Sequence, residues 1–189
     1  KDGVIAKLHK GLEGLVKSRN VTYVQGSGKL VSNNTVEANG TKYTGKNVIL
    51  ATGSYPKTLP GLEIDGKQII TSEQAIKLDY VPKSVIVLGG GVIGCEFATI
   101  FSNFNKTKVH VISKDDRILP FEDPDLAHVI EANLEANGVL IHRQSKLEKM
   151  EIVDGRVEYI LEHPDGRKEV YHAEKALVSV GRIPNIENT

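Results

Sequence analysis

The chain has 189 residues, with 24 Lys and Arg against 24 Asp and Glu, 40% hydrophobic residues and a single cysteine. Its zero formal net charge argues against nucleic acid or an anionic membrane as a partner, and its apolar runs are shorter than the roughly 20 residues that a membrane-spanning helix needs. One cysteine excludes an internal disulfide framework, and without a Cys/His cluster we predict no metal site. Because the sequence starts without Met and ends just after a strand-like run, we expect it to be part of a longer protein.

The first third of the chain is predicted to be a helix followed by a small antiparallel sheet. Residues 3–17 carry an apolar stripe that starts at Val4 and repeats at helical spacing to Leu15. The run 47–51 is continuously apolar and predicts a buried parallel strand that leads into a loop. Four short runs between Gly and Asn turns are typical of β-strands: 21–24, 29–31, 35–38 and 42–44.

The remainder of the chain alternates strands and helices. After a Pro- and Gly-rich crossover at 56–66 and a short helix that begins near Thr71, apolar strands are predicted at 84–88, 108–112, 139–141 and 175–180. Helices follow the first two of these strands, and the alternation predicts a parallel sheet with right-handed crossovers. An antiparallel excursion, 147–153 with 156–161 and a turn into Val170, precedes the last strand.

The second of these helices has clear end signals. Asp123 is a predicted N-cap with Pro124 at the first helical position, and Asn137-Gly138 is predicted to end the helix. We expect its buried face to consist of four apolar residues, namely Leu126, Val129, Ile130 and Leu134.

The six histidines show no catalytic pattern. We expect His110 to lie in a buried strand as a core or strand-face residue. The other five are predicted at the surface, on helix faces or in exposed hairpins: His9, His128, His142, His163 and His172.

Glycines with the spacing G-x-G-x-x-G lie between the strand 84–88 and the helix that follows it. Gly89 permits the tight turn, Gly91 lets the backbone approach a pyrophosphate, and Gly94 lets the helix pack on the strand. The unpaired N–H groups and the positive end of the helix dipole then face the phosphates. In this strand-turn-helix context the motif predicts a dinucleotide site.

The end of the next strand leaves the choice of dinucleotide open. Ser113 stands where an acid would accept the hydroxyls of the adenosine ribose, and Lys114 follows it. A small hydroxyl next to a basic residue favours the 2′-phosphate of NADP, whereas Asp115 and Asp116 would oppose it. NAD and NADP therefore both remain candidates.

Three segments in order resemble the flavin-dependent pyridine nucleotide-disulfide oxidoreductases. They are Ile49-Leu-Ala-Thr-Gly-Ser54, Val87-Leu-Gly-Gly-Gly-Val-Ile-Gly-Cys-Glu-Phe-Ala98 and Ser179-Val-Gly-Arg-Ile-Pro-Asn185. Flanking sequences such as Val21-Thr-Tyr-Val-Gln-Gly-Ser-Gly28 are similar to those of the family members that oxidise dihydrolipoamide. The resemblance implies an α/β fold in which an NAD(P)-binding Rossmann-like domain is inserted into an FAD domain, here partial.

On this resemblance, residues 1–58 are part of the FAD domain, 59–182 the NAD domain and 183–189 the return towards the FAD domain. The positions that match FAD contacts are Gly28, Thr52, Gly53 and Ser54. The positions that match the NAD site are Gly89, Gly90, Gly91, Val92, Ile93, Gly94, Cys95, Glu96, Ser113, Lys114, Leu147 and Gly181, with Glu96 the acid near the nicotinamide. The resemblance also implies a homodimeric parent that passes electrons from dihydrolipoamide through FAD to NAD and works with 2-oxoacid dehydrogenase components. We expect that parent in the cytoplasm, or in the mitochondrial matrix of a eukaryote.

The sequence also departs from the family in several places. The family's Cys-x-x-x-x-Cys pair, its catalytic His-Glu pair and its first FAD glycine loop are missing, so we assign no catalytic residue to this chain and expect it to be inactive alone. Cys95 is predicted to pack as a small hydrophobic residue. Asn105 replaces a glycine that ends the helix in the family, and Asn tolerates the left-handed backbone conformation that this position requires. Two alternatives remain: an NADPH-dependent sibling of mercuric- or glutathione-reductase type, and a non-enzymatic nucleotide-binding module.

Overall fold

The computed structural model describes residues 1–104 and 107–187, so the prediction at Asn105 lies outside the described residues. The chain divides into two compact units. One comprises Lys1–Gly53 with the segment from Asn185, and the other comprises Ser54–Pro184.

The first unit contains one helix and a three-stranded antiparallel sheet. Helix α1 spans Asp2–Ser18, as predicted. Strands β1 (Gly28–Ser32), β2 (Thr35–Ala38) and β3 (Thr41–Thr44) pair in that order, with Gly28 opposite Ala38. These confirm three of the four predicted short strands, whereas residues 21–24 form no strand and that prediction is wrong.

A further prediction fails in this unit. Residues 47–51 are not a buried strand: they have no regular structure, and Ile49 is 90% exposed. A parallel strand exists only when a neighbouring strand completes its hydrogen bonds, and no described strand of this chain pairs with 47–51. The apolar face of α1 is likewise uncovered, with no buried residue on that helix.

The second unit is built on a parallel sheet. Its elements in chain order are β4 (Ser54–Pro56), β5 (Ile69–Thr71), α2 (Ser72–Ala75), β6 (Ser84–Leu88), α3 (Val92–Asn103), β7 (Lys108–Ile112), α4 (Pro124–Ala136), β8 (Leu140–His142), β9 (Lys146–Val153), β10 (Arg156–Glu162), β11 (Lys168–Ala173), β12 (Lys175–Val178) and β13 (Arg182–Pro184). Five parallel strands follow the order β5-β12-β6-β7-β8, and β11-β10-β9 form an antiparallel sheet. The predicted alternation and the predicted antiparallel excursion are therefore confirmed.

The parallel sheet is covered on both faces, which explains its uninterrupted apolar strands. Val85 and Val87 of β6 belong to a core cluster that also contains residues of α3 and α4. Ile86 and Leu88, which point the other way, belong to a second cluster with Val157, Tyr159 and Leu161 of β10. The helices thus lie on one face and the antiparallel sheet on the other.

Helix α4 begins and ends as predicted but buries a different face. The Asp123 side chain accepts a hydrogen bond from the Asp125 N–H, and Asn137 is the C-cap. The predicted buried face is confirmed at Leu134 and wrong at Leu126, Val129 and Ile130, which are 62%, 67% and 37% exposed. The other buried residues are Ala127 and Glu131.

Glu131 can be buried because a cation neutralises it. Arg143 directly follows β8. Its guanidinium donates from Nε to Glu131 Oε1 at 2.6 Å and from an NH2 group to Glu135 Oε1 at 2.5 Å. These two carboxylates raise the pKa of Arg143 against the opposing effect of burial. The small side chain of Ala127, which is fully buried, permits close packing on this face.

A group of aromatic and imidazole side chains lies where the antiparallel sheet covers β7 and β8. The ring of His110 has its Nδ1 3.1 Å from both His142 Nε2 and the Tyr159 hydroxyl. The Tyr171 ring stacks on Tyr159 with a centroid distance of 5.2 Å, and the His163 side chain is only 14% exposed. His142 and His163 are therefore half-buried members of a cluster, and their predicted surface position is wrong.

Burial controls the protonation of this cluster. It lowers the pKa of His142 to about 4, assisted by the neighbouring imidazoles of His110 and His163 and opposed by Glu169. It also lowers the pKa of His110, where Lys108 acts in the same direction. Both imidazoles are thus neutral in the folded chain at neutral pH.

We predict that this cluster makes the fold acid-sensitive. Histidines in an unfolded chain take up protons near pH 6.5, whereas folded His142 does so near pH 4, so the unfolded state binds more protons between these values. The melting temperature should fall as the pH is lowered from 7 to 5. His142→Gln should reduce this dependence, and His128→Gln, on the exposed side of α4, should not. Equal pH dependence in wild type and His142→Gln would contradict the prediction.

Candidate nucleotide-binding site

The turn between β6 and α3 is compressed against the end of β12. Gly89 has φ +112°, and a Cβ there would lie 2.5 Å from the Ser179 carbonyl oxygen. A Cβ at Gly94 would lie 2.0 Å from the carbonyl oxygen of Gly89. Two of the three motif glycines are therefore required by the packing of the turn itself.

The third motif glycine faces open space. Gly91 is the N-cap of α3, and nothing lies within 4 Å of the position that a Cβ would take there. No side chain caps this 12-residue helix, and its first turn contains no acidic residue. The N–H groups and positive dipole end of α3 are thus arranged to receive an anion.

A cavity of about 790 Å³ opens beside this turn. Its walls come from the carboxyl ends of neighbouring parallel strands, where open α/β sheets bind their ligands. They are formed by Leu88–Ile93, Ile112–Asp115, Ser145–Leu147 and Ser179–Arg182, together with Lys57, Leu59, Pro120 and Phe121. The volume is within the range of small-molecule and cofactor sites.

Most residues predicted for the NAD site line this cavity. They are Gly89, Gly90, Gly91, Val92, Ile93, Ser113, Lys114, Leu147 and Gly181. Gly94, Cys95 and Glu96 are not in its lining. Gly94 and Cys95 are buried behind the turn, and Glu96 is exposed on α3.

Cys95 has the environment of a structural thiol. Its Sγ donates to the Gly90 carbonyl at 3.5 Å, and burial raises the pKa of the thiol to about 11, with smaller contributions from Glu131 and Glu96. A thiol with this pKa is protonated at neutral pH and is a poor nucleophile.

The residues predicted to contact FAD lie elsewhere. Gly28 begins β1, Thr52 and Gly53 are exposed in the first unit, and Ser54 begins β4 in the second. None of the four lines the cavity beside the glycine turn. The residues that line that cavity therefore suit a nucleotide at the glycine turn.

The structure gives Ser113 a role that the sequence did not reveal. Ser113 is only 2% exposed. Its hydroxyl donates to the Arg117 carbonyl at 3.3 Å and accepts from the Asp115 N–H at 3.2 Å. The Arg117 guanidinium is also occupied, since it donates to the carbonyls of Leu119, Pro120 and Glu122 at 2.7 to 3.0 Å. Both side chains stabilise their own loop.

The described part of the chain contains neither a metal-binding cluster nor a helix that could span a membrane. Within residues 1–104 and 107–187, no group of three or more His, Cys, Asp or Glu side chains is arranged to hold a metal ion. In the same part of the chain, no helix has the length and apolar character needed to cross a bilayer.

Comparison with known proteins identifies the family. A profile of the pyridine nucleotide-disulphide oxidoreductases matches residues 3–189. The chain belongs to this family. Family membership implies the use of FAD and a nicotinamide nucleotide.

Individual relatives in this oxidoreductase family support the assignment. The chain is 37% identical to a dihydrolipoyl dehydrogenase of Bacillus subtilis, covering 99% of this chain and 42% of that protein. It is 34% identical to the mitochondrial dihydrolipoyl dehydrogenase of Pisum sativum, covering 97% of this chain and 38% of the relative. The chain thus spans about two fifths of the length of these relatives.

Solved structures in the family have the same fold. The HOCl-induced flavoprotein disulfide reductase RclA from Escherichia coli, solved as a Cu(II) complex, matches with a TM-score of 0.80 and 25% identity over 99% of this chain and 42% of that one. LpdA from Mycobacterium tuberculosis matches with a TM-score of 0.80 and 27% identity over 98% of this chain and 42% of that one. The predicted Rossmann-like α/β fold is confirmed.

Substitution of Gly94 tests the packing of the turn. The added methyl of Gly94→Ala would overlap the Gly89 carbonyl, which is backbone and cannot move aside without displacing α3. We expect a loss of at least about 2 kcal/mol in the free energy of unfolding, measured with urea. Gly91→Ala is the matched control and should cost about 1 kcal/mol or less, because its methyl points into open space. Equal losses in the two variants would refute this explanation.

Proposed function

We propose that residues 59–182 are the NAD domain of a dihydrolipoamide dehydrogenase, and that the nucleotide binds in the cavity beside the glycine turn. The observation that carries the proposal is the open, uncapped N-terminus of α3 at Gly91, within a cavity of about 790 Å³. The names of the relatives from Bacillus subtilis and Pisum sativum support the choice of this enzyme within the family.

The charges of the cavity suit a dinucleotide. Its lining contains four cationic side chains, Lys57, Lys114, Lys146 and Arg182, and a single carboxylate, that of Asp115. A pyrophosphate at the α3 N-terminus would be stabilised by the backbone N–H groups and by the net positive lining. The apolar part of the lining, including Leu88 and Phe121, provides surface for the base rings.

The proposed whole enzyme oxidises dihydrolipoamide with NAD⁺ by way of a redox disulfide. When bound, FAD would supply the two-electron link between the dithiol and the nicotinamide. The contribution of this chain is to bind and orient the nucleotide: the sheet holds the turn rigid, the turn fixes the phosphates, and Gly181 and Glu96 are assigned to the nicotinamide end. Residues 1–58 and 183–189 are assigned to the FAD domain, with Gly28, Thr52, Gly53 and Ser54 as its flavin contacts.

The whole enzyme is further proposed to be a homodimer that serves a 2-oxoacid dehydrogenase complex. Its compartment would be the cytoplasm, or the mitochondrial matrix in a eukaryote, as in the mitochondrial relative from Pisum sativum. These assignments rest on the relatives rather than on any contact within this chain.

Gly91 tests the nucleotide site without disturbing the fold. A methyl at Gly91→Ala would occupy the open space in which the phosphates approach the backbone. We expect at least a roughly tenfold loss of NADH affinity in a fluorescence titration, because charge-assisted hydrogen bonds to phosphate depend on close approach. Gly11→Ala, in α1 with open space around it, is the control and should bind as wild type. Unchanged affinity of a folded Gly91→Ala would place the nucleotide elsewhere.

The single cysteine gives a second test. Since the 189-residue chain cannot form an internal redox disulfide, we expect it to bind NADH but not to oxidise dihydrolipoamide. The measurement is NADH formation from dihydrolipoamide and NAD⁺, with the Bacillus subtilis relative as the positive control. Cys95→Ser should leave NADH binding unchanged, because this buried thiol is not in the cavity lining. Turnover above the blank by this chain alone would overturn the expectation.

A further inference from the structure

We propose that Asp115 is the residue that makes the cavity select NAD(H) over NADP(H), by accepting hydrogen bonds from the adenosine ribose hydroxyls. This inference rests on the proposed function, because it assumes that a nicotinamide nucleotide occupies the cavity. It assigns to Asp115 a task that the residue at the strand end, Ser113, cannot perform.

Ser113 cannot select the nucleotide because its hydroxyl is already used. The side chain is buried, and its Oγ is bonded to the Arg117 carbonyl and the Asp115 N–H. A 2′-phosphate would have to take the proton that Ser113 now donates to the Arg117 carbonyl, and a ribose hydroxyl would have only the remaining lone pair of an almost fully buried oxygen. Such an exchange leaves a buried polar group without a partner, which is unfavourable.

The nearby arginine is unavailable for the same reason. Three backbone carbonyls of the loop that follows, at Leu119, Pro120 and Glu122, accept from the Arg117 guanidinium. Removal of Arg117 from this loop to bind a 2′-phosphate would leave those carbonyls unsatisfied. Arg117 therefore does not provide the bidentate phosphate contact for which its side chain is otherwise suited.

Asp115 is held in place while its carboxylate stays free. Its N–H donates to Ser113 Oγ, and its carbonyl accepts from the Gln144 N–H at 2.9 Å, so both ends of the residue are fixed. The residue is half-buried and lines the cavity. Among the described residues, no group forms a hydrogen bond or ion pair with its carboxylate.

The lining contains no other strong acceptor of this kind. The remaining charged side chains of the cavity are Lys57, Lys114, Lys146 and Arg182, and cations only donate. Ribose hydroxyls are donors, so they complement the Asp115 carboxylate. A 2′-phosphate carries only acceptor oxygens and negative charge, so at the same position it would be repelled.

The lysines are the competing explanation. Lys114 precedes Asp115, and Lys146 lines the cavity near Leu147; both are exposed and could pair with a 2′-phosphate. A phosphate between them would still stand beside an unpaired carboxylate. Exposed ion pairs contribute little to binding because water screens them, so we assign the selectivity to the half-buried acid.

The experiment compares NADH and NADPH affinities of the 189-residue chain and three variants by fluorescence titration. Wild type should bind NADH at least about tenfold more tightly than NADPH, and Asp115→Asn should bring the two within about threefold, chiefly through weaker NADH and tighter NADPH binding. Asp116→Asn is the matched control, because Asp116 is an exposed carboxylate outside the cavity lining. It and Lys114→Ala should preserve the NADH preference. Melting curves of all four proteins identify any variant that fails to fold.

The possible results separate this inference from the proposed function. If wild type binds NADH but Asp115→Asn keeps the same NADH to NADPH ratio, the inference is wrong and the proposed site stands. If wild type prefers NADPH and Lys114→Ala loses this preference, the lysine determines the selectivity, and the inference about Asp115 is wrong. If wild type binds neither nucleotide, the proposed function fails and the inference with it.

Discussion

The approach of α3 to the end of the parallel sheet is the constraint on which the site depends. The helix begins so close to β6 that the Gly89 carbonyl occupies the space where residue 94 would carry a Cβ, and the turn is pressed in addition against Ser179 at the end of β12. Ser179 fixes this contact, since its N–H and Oγ both donate to the Leu88 carbonyl at 2.9 and 3.0 Å. The end of β6, the start of α3 and the end of β12 therefore meet backbone to backbone at this point. As a result, the N-terminus of α3 opens at the carboxyl edge of the sheet, where the cavity is found.

Much of this arrangement could be predicted from the sequence because it depends on local rules. The strand at 84–88, the glycine turn and the caps at Asp123 and Asn137 each contain residue types whose local backbone preferences match the element that they form. The buried face of α4 could be predicted only at Leu134, because the rest of it is decided by a distant residue. Apolar side chains alone would favour burial of Leu126 and Val129. However, Arg143, which follows β8 in the chain, neutralises Glu131 and allows the face that carries Glu131 to pack inwards. The prediction of a strand at 47–51 was wrong for a similar reason, because an apolar run forms a strand only if a partner strand is present.

The same division applies to the candidate site. The glycine turn follows from a short motif, whereas Lys57, Phe121 and Ser145 reach the cavity from loops far apart in sequence and carry no signal of their own. At the end of β7 the residue type was misleading, since the small hydroxyl of Ser113 suggested a 2′-phosphate site but stabilises its own loop, as the Arg117 side chain also does. His142 was misassigned likewise, because the neighbours that bury it, on β7 and in the antiparallel sheet, are fixed only by tertiary packing.

The division of labour within the cavity follows from these contacts. The glycine turn presents backbone N–H groups and a helix dipole, which attract any pyrophosphate and cannot distinguish one dinucleotide from another. Exposed lysines strengthen that general attraction without improving selectivity, because their flexible side chains follow whichever phosphate is present. Selectivity therefore needs a charged group with a fixed position and no internal partner. Hydrogen bonds within the loop occupy Ser113 and Arg117, and the same bonds orient Asp115. This loop, whose residue types suggest a phosphate site, instead provides a rigid support for a carboxylate.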